Sequence, residues 1–314
     1  MEMTNDSDLQ NRTLNFNFFS SSECIAWKTI FGIEAVAIVT LNALTIIIFL
    51  KEQSLRGKRG VYLVISLAVA DMLVGCSLIY VTFYVGKYCW TIDVFEANEG
   101  LSALLTYFPA VSVTNLAVIS LERMHATFRP FKHRLVKKKV FGAAFAAVWF
   151  TVGVFMASVF SRLLFDISKY QTHAALLSLQ FCCMLIILVS YTSIAAKFYS
   201  TTHYQRHGAI SRERKLTKTL LIVTVVSLIL LLPYGIVLFY VLSLGDSSFE
   251  TSAYRIGWHL HVIHCAACFF YANSFINPLL YALKIPELKR ALLLLLRCRS
   301  PRSKAVQNFP LNDI

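Results

Sequence analysis

The chain has 314 residues, 57% of them hydrophobic and 15% charged, with a formal net charge of +13. Soluble domains carry about 25% charged residues, so a water-soluble core cannot absorb this apolar excess and the bilayer is the expected solvent. Nucleic acid is not the partner of the positive charge, because no basic, aromatic-interleaved domain and no zinc-type spacing is present.

Residues 1–24 are polar and carry the sequons "NDS" at Asn5 and "NRT" at Asn11, which accept N-linked glycans on an outer surface. No secretory leader precedes them, so the first apolar segment is expected to act as its own insertion signal. A membrane helix needs about 20 mostly apolar residues. Seven windows qualify, at about 25–50, 60–86, 100–122, 140–161, 173–198, 217–243 and 256–283. With the N-terminus outside, the outer segments hold Arg12, Lys28, Lys87, Arg162, Lys169 and Arg255, and the other 24 of the 30 basic residues lie inside. That asymmetry agrees with the orientation set by Lys and Arg in cytoplasmic loops.

The expected architecture is an all-α membrane protein, a seven-transmembrane helix bundle with a short amphipathic cytoplasmic helix after the seventh span. Its organisation is an outer glycosylated N-terminus over 1–24, the seven-span domain over 25–283, and an inner helix and tail over 284–314. Cys298 follows the amphipathic "IPELKRALLLLLR" and is either an S-palmitoylation site on a surface helix or an unmodified thiol. Cys24 and Cys89 are the two plainly outer cysteines and the candidate pair for one disulfide.

A charged or strongly polar group at mid-membrane costs several kcal/mol unless paired or hydrated. Asp71, in "SLAVADMLVG", lies near the middle of the second window, and Ser112, Asn115, Asn273 and Asn277 lie at mid-to-inner depth in the third and seventh. A carboxylate among hydroxyl and amide oxygens could hold a small hard cation. It could equally be a hydrogen-bonded network that joins helices. Glu34, in the outer half of the first window, reads either as a packing residue or as a pocket lining. Pro233 and Pro278 each remove a backbone hydrogen bond and should kink the sixth and seventh helices. At the inner end of the third window Glu122 and Arg123 stand side by side, ahead of a loop dense in Lys and Arg.

The ordered set resembles the rhodopsin-like (class A) G-protein-coupled receptors over about residues 25–300. Asn42 in "TLNAL", "LAVAD" ending at Asp71, "ERM" at Glu122–Met124, Trp149, Tyr191, Pro233 and "NPLLY" at Asn277–Tyr281 each match one helix's motif. Met124 stands where the triplet usually has tyrosine. The resemblance implies that Asp71, Ser112, Asn273 and Asn277 form a sodium site, sodium being an allosteric ligand. It also implies that Arg123 pairs with Glu122 and with Glu213 at the base of the sixth helix, against the plain reading of solvated charges. Activation then swings the sixth helix outward, Tyr191 and Tyr281 stabilise the open form, Asn277 and Pro278 belong to the same switch, and Phe131 in the second inner loop contacts a heterotrimeric G-protein. Arrestin is a further candidate partner.

Departures narrow the resemblance. No cysteine stands near Asn98 or in the second outer loop, and Cys182 and Cys183 occupy the region where the fifth helix usually has proline. Both features resemble the branch holding melanocortin, cannabinoid, lysophospholipid and adenosine-like receptors. Leu231 replaces the sixth-helix toggle tryptophan. Leu105 stands where amine receptors have an aspartate, so a cationic amine lacks its anchor; Tyr271 stands where opsins carry the retinal lysine. Candidate pocket residues are Tyr80, Tyr84, Leu105, Phe108, Leu231, Leu238, His264 and Tyr271, which serve equally well as packing residues. The ligand class left open is a lipid or peptide, with a nucleoside behind them. Asp93, Glu96 and Glu99 form an acidic outer rim or a solvated loop. Nothing supports an enzyme, and the rival class is a seven-helix transporter or channel, for which Asp71 would be the sole membrane-centre acid.

Overall fold

A computed structural model describes residues 20–51, 61–84, 99–165, 169–201, 210–243 and 257–284. The helices are α1 (Ser21–Lys51), α2 (Val61–Tyr84), α3 (Glu99–Phe128), the short α4 (Pro130–Leu135), α5 (Lys138–Phe165), α6 (Lys169–Thr201), α7 (Ile210–Ser243) and α8 (Gly257–Lys284), with no strand among the described residues. The seven long helices are the seven spans in order, and α4 lies between the third and fourth of them. Asn5, Asn11, Cys89, Asp93, Glu96, Cys298 and the expected helix after the seventh span fall outside the described residues. So do the side chains of Tyr84, Glu99, Glu213 and Tyr281.

Length and apolar content qualify five stretches of the described residues to cross a membrane: Ser21–Lys51, Val61–Phe83, Leu104–Phe128, Ala174–Lys197 and His261–Leu280, while α7 adds the shorter Val225–Tyr240. Helix is the form available to such sequences because hydrocarbon offers no partner to a free backbone group. Side-chain hydroxyls follow the same rule by folding back one turn: Thr45, Thr114 and Thr192 donate to the carbonyls of Leu41, Ala110 and Leu188 at 2.7–2.8 Å. At its N-terminal end α1 starts with a capping box. The Glu23 amide donates to Ser20 Oγ at 3.3 Å and the Ser20 amide to Glu23 Oε2 at 2.8 Å.

The distribution of polarity is that of a protein solvated by lipid. Large apolar side chains such as Ile33, Phe83, Phe150, Val189 and Phe239 are exposed, while Asn42, Ser66, Asp71, Ser112, Asn115, Asn273 and Asn277 are buried. The main core joins α2, α3, α5, α6, α7 and α8 around Leu67, Leu116, Ile187, Tyr191, Leu231 and Phe270. Met124 packs against its inner edge, which gives the residue replacing the usual tyrosine a filling role that a flexible thioether side chain suits. The α1–α2 seam is the most extensive contact in the bundle. Gly75 permits it: a Cβ there would lie 2.8 Å from Val39 Cγ2 and 3.1 Å from the Ala35 carbonyl, so only a residue without a side chain lets the backbones approach.

The helices run past the apolar windows at several ends, most at the C-terminal end of α3 and the N-terminal end of α7. The third window stops at about 122, yet α3 continues to Phe128. Once a helix leaves hydrocarbon its hydrogen bonds need no apolar cover, so Glu122 and Arg123 sit within a helix and not at its end.

Candidate functional site

Two polar centres stand out in the bundle. The first surrounds Asp71, which α2 buries completely. Ser112 on α3 donates to Asp71 Oδ1 at 2.6 Å, and Asn277 Nδ2 on α8 donates to Oδ2 at 3.2 Å. Ser274, one turn before Asn277, is buried on the same face of α8. Three helices thus converge on one carboxylate. Around it, Asn273 Oδ1, Asn277 Oδ1 and Asn115 Oδ1 are buried with no hydrogen-bond partner. Orphaned acceptors of this kind cost about 1–3 kcal/mol each unless something fills them. Asn273 and Ser274 also line a narrow cleft with Ser112, Pro109, Leu231 and Tyr271. Among the described residues, no group of three His, Cys, Asp or Glu is placed to hold a metal ion; the donor set at Asp71 is hydroxyl, amide and carboxylate oxygen, the kind that hard cations take.

Of the four residues expected here, Ser112 and Asn277 reach Asp71 directly and Asn273 lines the adjoining cleft. Ser274 was not foreseen. Its signal is its spacing, since residues three and four apart share a helix face and "NSFIN" puts Ser274 beside Asn277. Asn42 on α1 stands behind the cluster, donating to the Ser274 carbonyl at 2.9 Å, so the first-helix asparagine fixes the backbone that carries the serine. Trp149 Nε1 donates to Ser66 Oγ at 3.2 Å, tying α5 to α2 one turn from Asp71.

The second centre is at the C-terminal end of α3. Arg123 Nε lies 2.8 Å from Glu122 Oε2. The contact is an ion pair without hydrogen-bond alignment, since both atoms lack a hydrogen-bond partner. The other oxygen, Glu122 Oε1, is 2.8 Å from His133 Nε2 on α4. Tyr191 on α6 is buried in the core close by. Phe131, beside His133, is 81% exposed; Pro130 at the first turn of α4 costs no hydrogen bond there and starts the turn that presents it. Lys197 on α6 donates from Nζ to the Thr127 carbonyl at 2.6 Å and lies over the Phe128 ring. It meets a carbonyl that the end of α3 leaves unpaired, at the negative end of the helix dipole. Sequence reasoning found neither His133 nor Lys197.

The residues expected to form an outer pocket do not assemble as one group. Leu231 and Tyr271 share the cleft above Asp71. His264 packs instead on α1, with ring centroids 5.1 Å from Trp27 and 5.9 Å from Phe31. Leu105, Phe108 and Leu238 are partly buried and Tyr80 is half-exposed. Glu34 is buried in the α1–α8 region with Oε2 unpartnered. Cys24 is buried in the first turn of α1. Pro278 is buried within α8 and Pro233 partly buried within α7.

Comparison with known proteins places this arrangement. The profile of the 7 transmembrane receptor (rhodopsin family) matches residues 41–281. An Opsin-VA of Rutilus rutilus is 23% identical over 76% of this chain and 65% of its own length. A QRFP-like peptide receptor of Branchiostoma floridae is 25% identical over 86% of this chain and 77% of its own. Dopamine receptor 4 of Caenorhabditis elegans is 34% identical over 34% of this chain and 21% of its own. The chain therefore belongs to the rhodopsin family of seven-transmembrane receptors.

Proposed function

We propose that the protein is a cell-surface receptor that binds an extracellular ligand and activates a heterotrimeric G-protein through outward movement of α7. The observation that carries this reading is the Glu122–Arg123 ion pair, at 2.8 Å, with Glu122 also in contact with His133 of the short helix that carries exposed Phe131. Arg123 is the cation withheld in the resting form; moving α7 away uncovers it and the Phe131 surface together. Glu213, Tyr281 and Pro278 serve the same switch from α7 and α8. The protein sits in the plasma membrane with the sequons at Asn5 and Asn11 outside, and arrestin is a second inner partner.

Asp71, Ser112, Asn273 and Asn277, joined by Ser274, form the site for a sodium ion. The orphaned oxygens of Asn273 and Asn277 are the acceptors such an ion would satisfy. A bound sodium supplies positive charge to the carboxylate, and the residues around it keep α2, α3 and α8 together in the resting form.

For the ligand, the matched relatives are named for light reception, a peptide and an amine. Leu105 and Tyr271 argue against a cationic amine and a retinal Schiff base, while the peptide receptor aligns over more of the chain than the others. A peptide or lipid remains the favoured class. The deciding experiment is nucleotide exchange on co-purified G-proteins of each class, screened against peptides, lipids and nucleosides. Arg123→Ala should abolish or uncouple that exchange. A variant that leaves it intact refutes the mechanism, and transport without exchange would replace the receptor reading with a carrier.

A further inference from the structure

Along α1, Glu23, Trp27, Phe31, Glu34, Ile38 and Asn42 recur three or four residues apart, which sets them in one line on the helix. Their contacts show that the line points at α8. Near the N-terminal end Glu23 Oε1 lies 3.4 Å from His261 Nε2, and Trp27 Nε1 donates to His261 Nδ1 at 3.3 Å. Phe31 meets Tyr271 edge-on at 6.2 Å, and further along Asn42 donates to the Ser274 carbonyl. Cys268, Tyr271 and Phe275 of α8 pack on the core that Phe31, Ala35 and Ile38 begin. Glu34 stands between Phe31 and Asn42, so its carboxyl faces α8 near the levels of Tyr271 and Ser274.

That carboxyl has an unmet oxygen. Glu34 is 8% exposed, and its Oε2 is buried with no hydrogen-bond partner. Asp71 is the other buried acid among the described residues, and it has two donors. A carboxyl inside a membrane helix is costly unless something pairs with it. Glutamine or leucine would fill the same space without that cost, so packing does not account for the acid. A partner brought from outside the chain does.

The surroundings define the partner's chemistry. Trp27 and Phe31 stack with centroids 5.9 Å apart, and His264 lies 5.1 Å from the first and 5.9 Å from the second. With Tyr271 these rings run without a break from the N-terminal end of α1 to the level of the acid. Ring faces attract cations, and the exposed Glu23 stands at the start of the run. One unmet carboxylate oxygen suits a compact ammonium, whereas the guanidinium fork takes both oxygens. Tyr271 also borders the cleft that reaches Ser112 and Ser274, so the acid stands beside the space that a ligand's end can enter.

We propose that Glu34 is the counter-ion for an aliphatic ammonium group of the ligand, carried by a peptide or by a free amine that enters between the N-terminal ends of α1 and α8. The inference rests on the receptor reading above and names the chemistry its ligand carries. Leu105 leaves α3 without an acid for such a group, and Glu34 supplies that acid from α1.

The test uses the full chain in lipid nanodiscs and follows thermal unfolding by circular dichroism against probe concentration. The probes are n-butylammonium and phenylalanyl-glycinamide with a free amino terminus, each beside its neutral counterpart, 1-butanol and the N-acetylated dipeptide. At least one cation should raise the unfolding temperature saturably, the arm that does so naming the source, and the neutral counterparts should not. Glu34→Gln should weaken binding of that cation on the order of thirtyfold. Glu34→Asp, which keeps the charge one methylene further back, should lose much less. Without a probe Glu34→Gln should unfold at or above the parent temperature, because it removes a buried unpaired carboxyl. The inference is overturned by the absence of a saturable shift with either cation, or by an equal shift in Glu34→Gln. A lower probe-free unfolding temperature of Glu34→Gln also overturns it, since the acid would then be a structural partner. Nucleotide exchange on a co-purified G-protein, with Arg123→Ala as its control, tests the receptor reading separately: absent exchange with the Glu34-dependent shift intact removes the receptor and leaves the site.

Discussion

Gly75→Ala is the smallest change that probes how the bundle holds Asp71. An added Cβ would meet Val39 Cγ2 at 2.8 Å, Ile38 Cγ2 at 2.9 Å and the Ala35 carbonyl oxygen at 3.1 Å. Carbon contacts settle at about 3.5–4.0 Å, and β-branched side chains in helices have little rotamer freedom with which to yield. The carbonyl cannot rotate away at all, so α2 must move off α1. Overpacking of this kind costs about 1–3 kcal/mol, against about 0.5–1 kcal/mol gained by replacing glycine within a helix. The net expectation is destabilisation by about 0.5–2 kcal/mol. Gly142 on α5 has nothing within 4 Å of its would-be Cβ, so Gly142→Ala keeps only the gain and should stabilise by about 0.5–1 kcal/mol. Thermal unfolding of both variants in nanodiscs, followed by tryptophan fluorescence, compares the two signs directly. Gly75→Ala unfolding at or above the parent temperature would refute the close α1–α2 approach. Asp71 lies one turn from Gly75, so the same displacement should also weaken any sodium stabilisation.

Three further outcomes can be measured on the same material. Trp149→Phe removes the donor to Ser66 and should cost about 1 kcal/mol, while Trp149→Phe combined with Ser66→Ala should cost less than the two single changes added together. Replacing potassium by sodium at constant ionic strength should raise the unfolding temperature of the parent; Asp71→Asn should abolish that rise and Ser274→Ala should reduce it, and an undiminished rise in Asp71→Asn would remove the ion from this site. Lys197→Met uncovers the Thr127 carbonyl and should destabilise by about 0.3–1 kcal/mol, with faster amide hydrogen exchange at the inner ends of α3 and α6; unchanged exchange there would show that the contact carries no load.

The spans and the polar residues of the Asp71 cluster were legible in the sequence for one reason. Hydrocarbon penalises charge and amide groups so strongly that Asp71, Asn273 and Asn277 stand out wherever they occur. Ser274 did not stand out, because a hydroxyl in a membrane helix can satisfy itself on the preceding turn, as Thr114 does. His133 was hidden for a different reason: its partner is set by the fold-back of α4, and one histidine in a loop of lysines and arginines carries no mark of it. The continuation of α3 beyond its apolar window was equally invisible to hydropathy, which reports where lipid ends and not where the helix does. The outer pocket was least legible. Leu105, Phe108 and Leu238 are apolar residues among many, and only packing tells that His264 turns to Trp27 while Tyr271 borders the cleft.

The Lys197 contact has a consequence for how a signal can cross the molecule. It fastens the inner end of α6 to the last turn of α3, along one of the larger seams of the bundle. Two helices joined at the foot by a charged side chain and along their length by Tyr191, Ile187 and Ile194 resist being spread apart. They make a fixed abutment. Whatever opens the bundle must then pivot against that abutment from the α7 side, while Glu122 and Arg123 stay in place on α3.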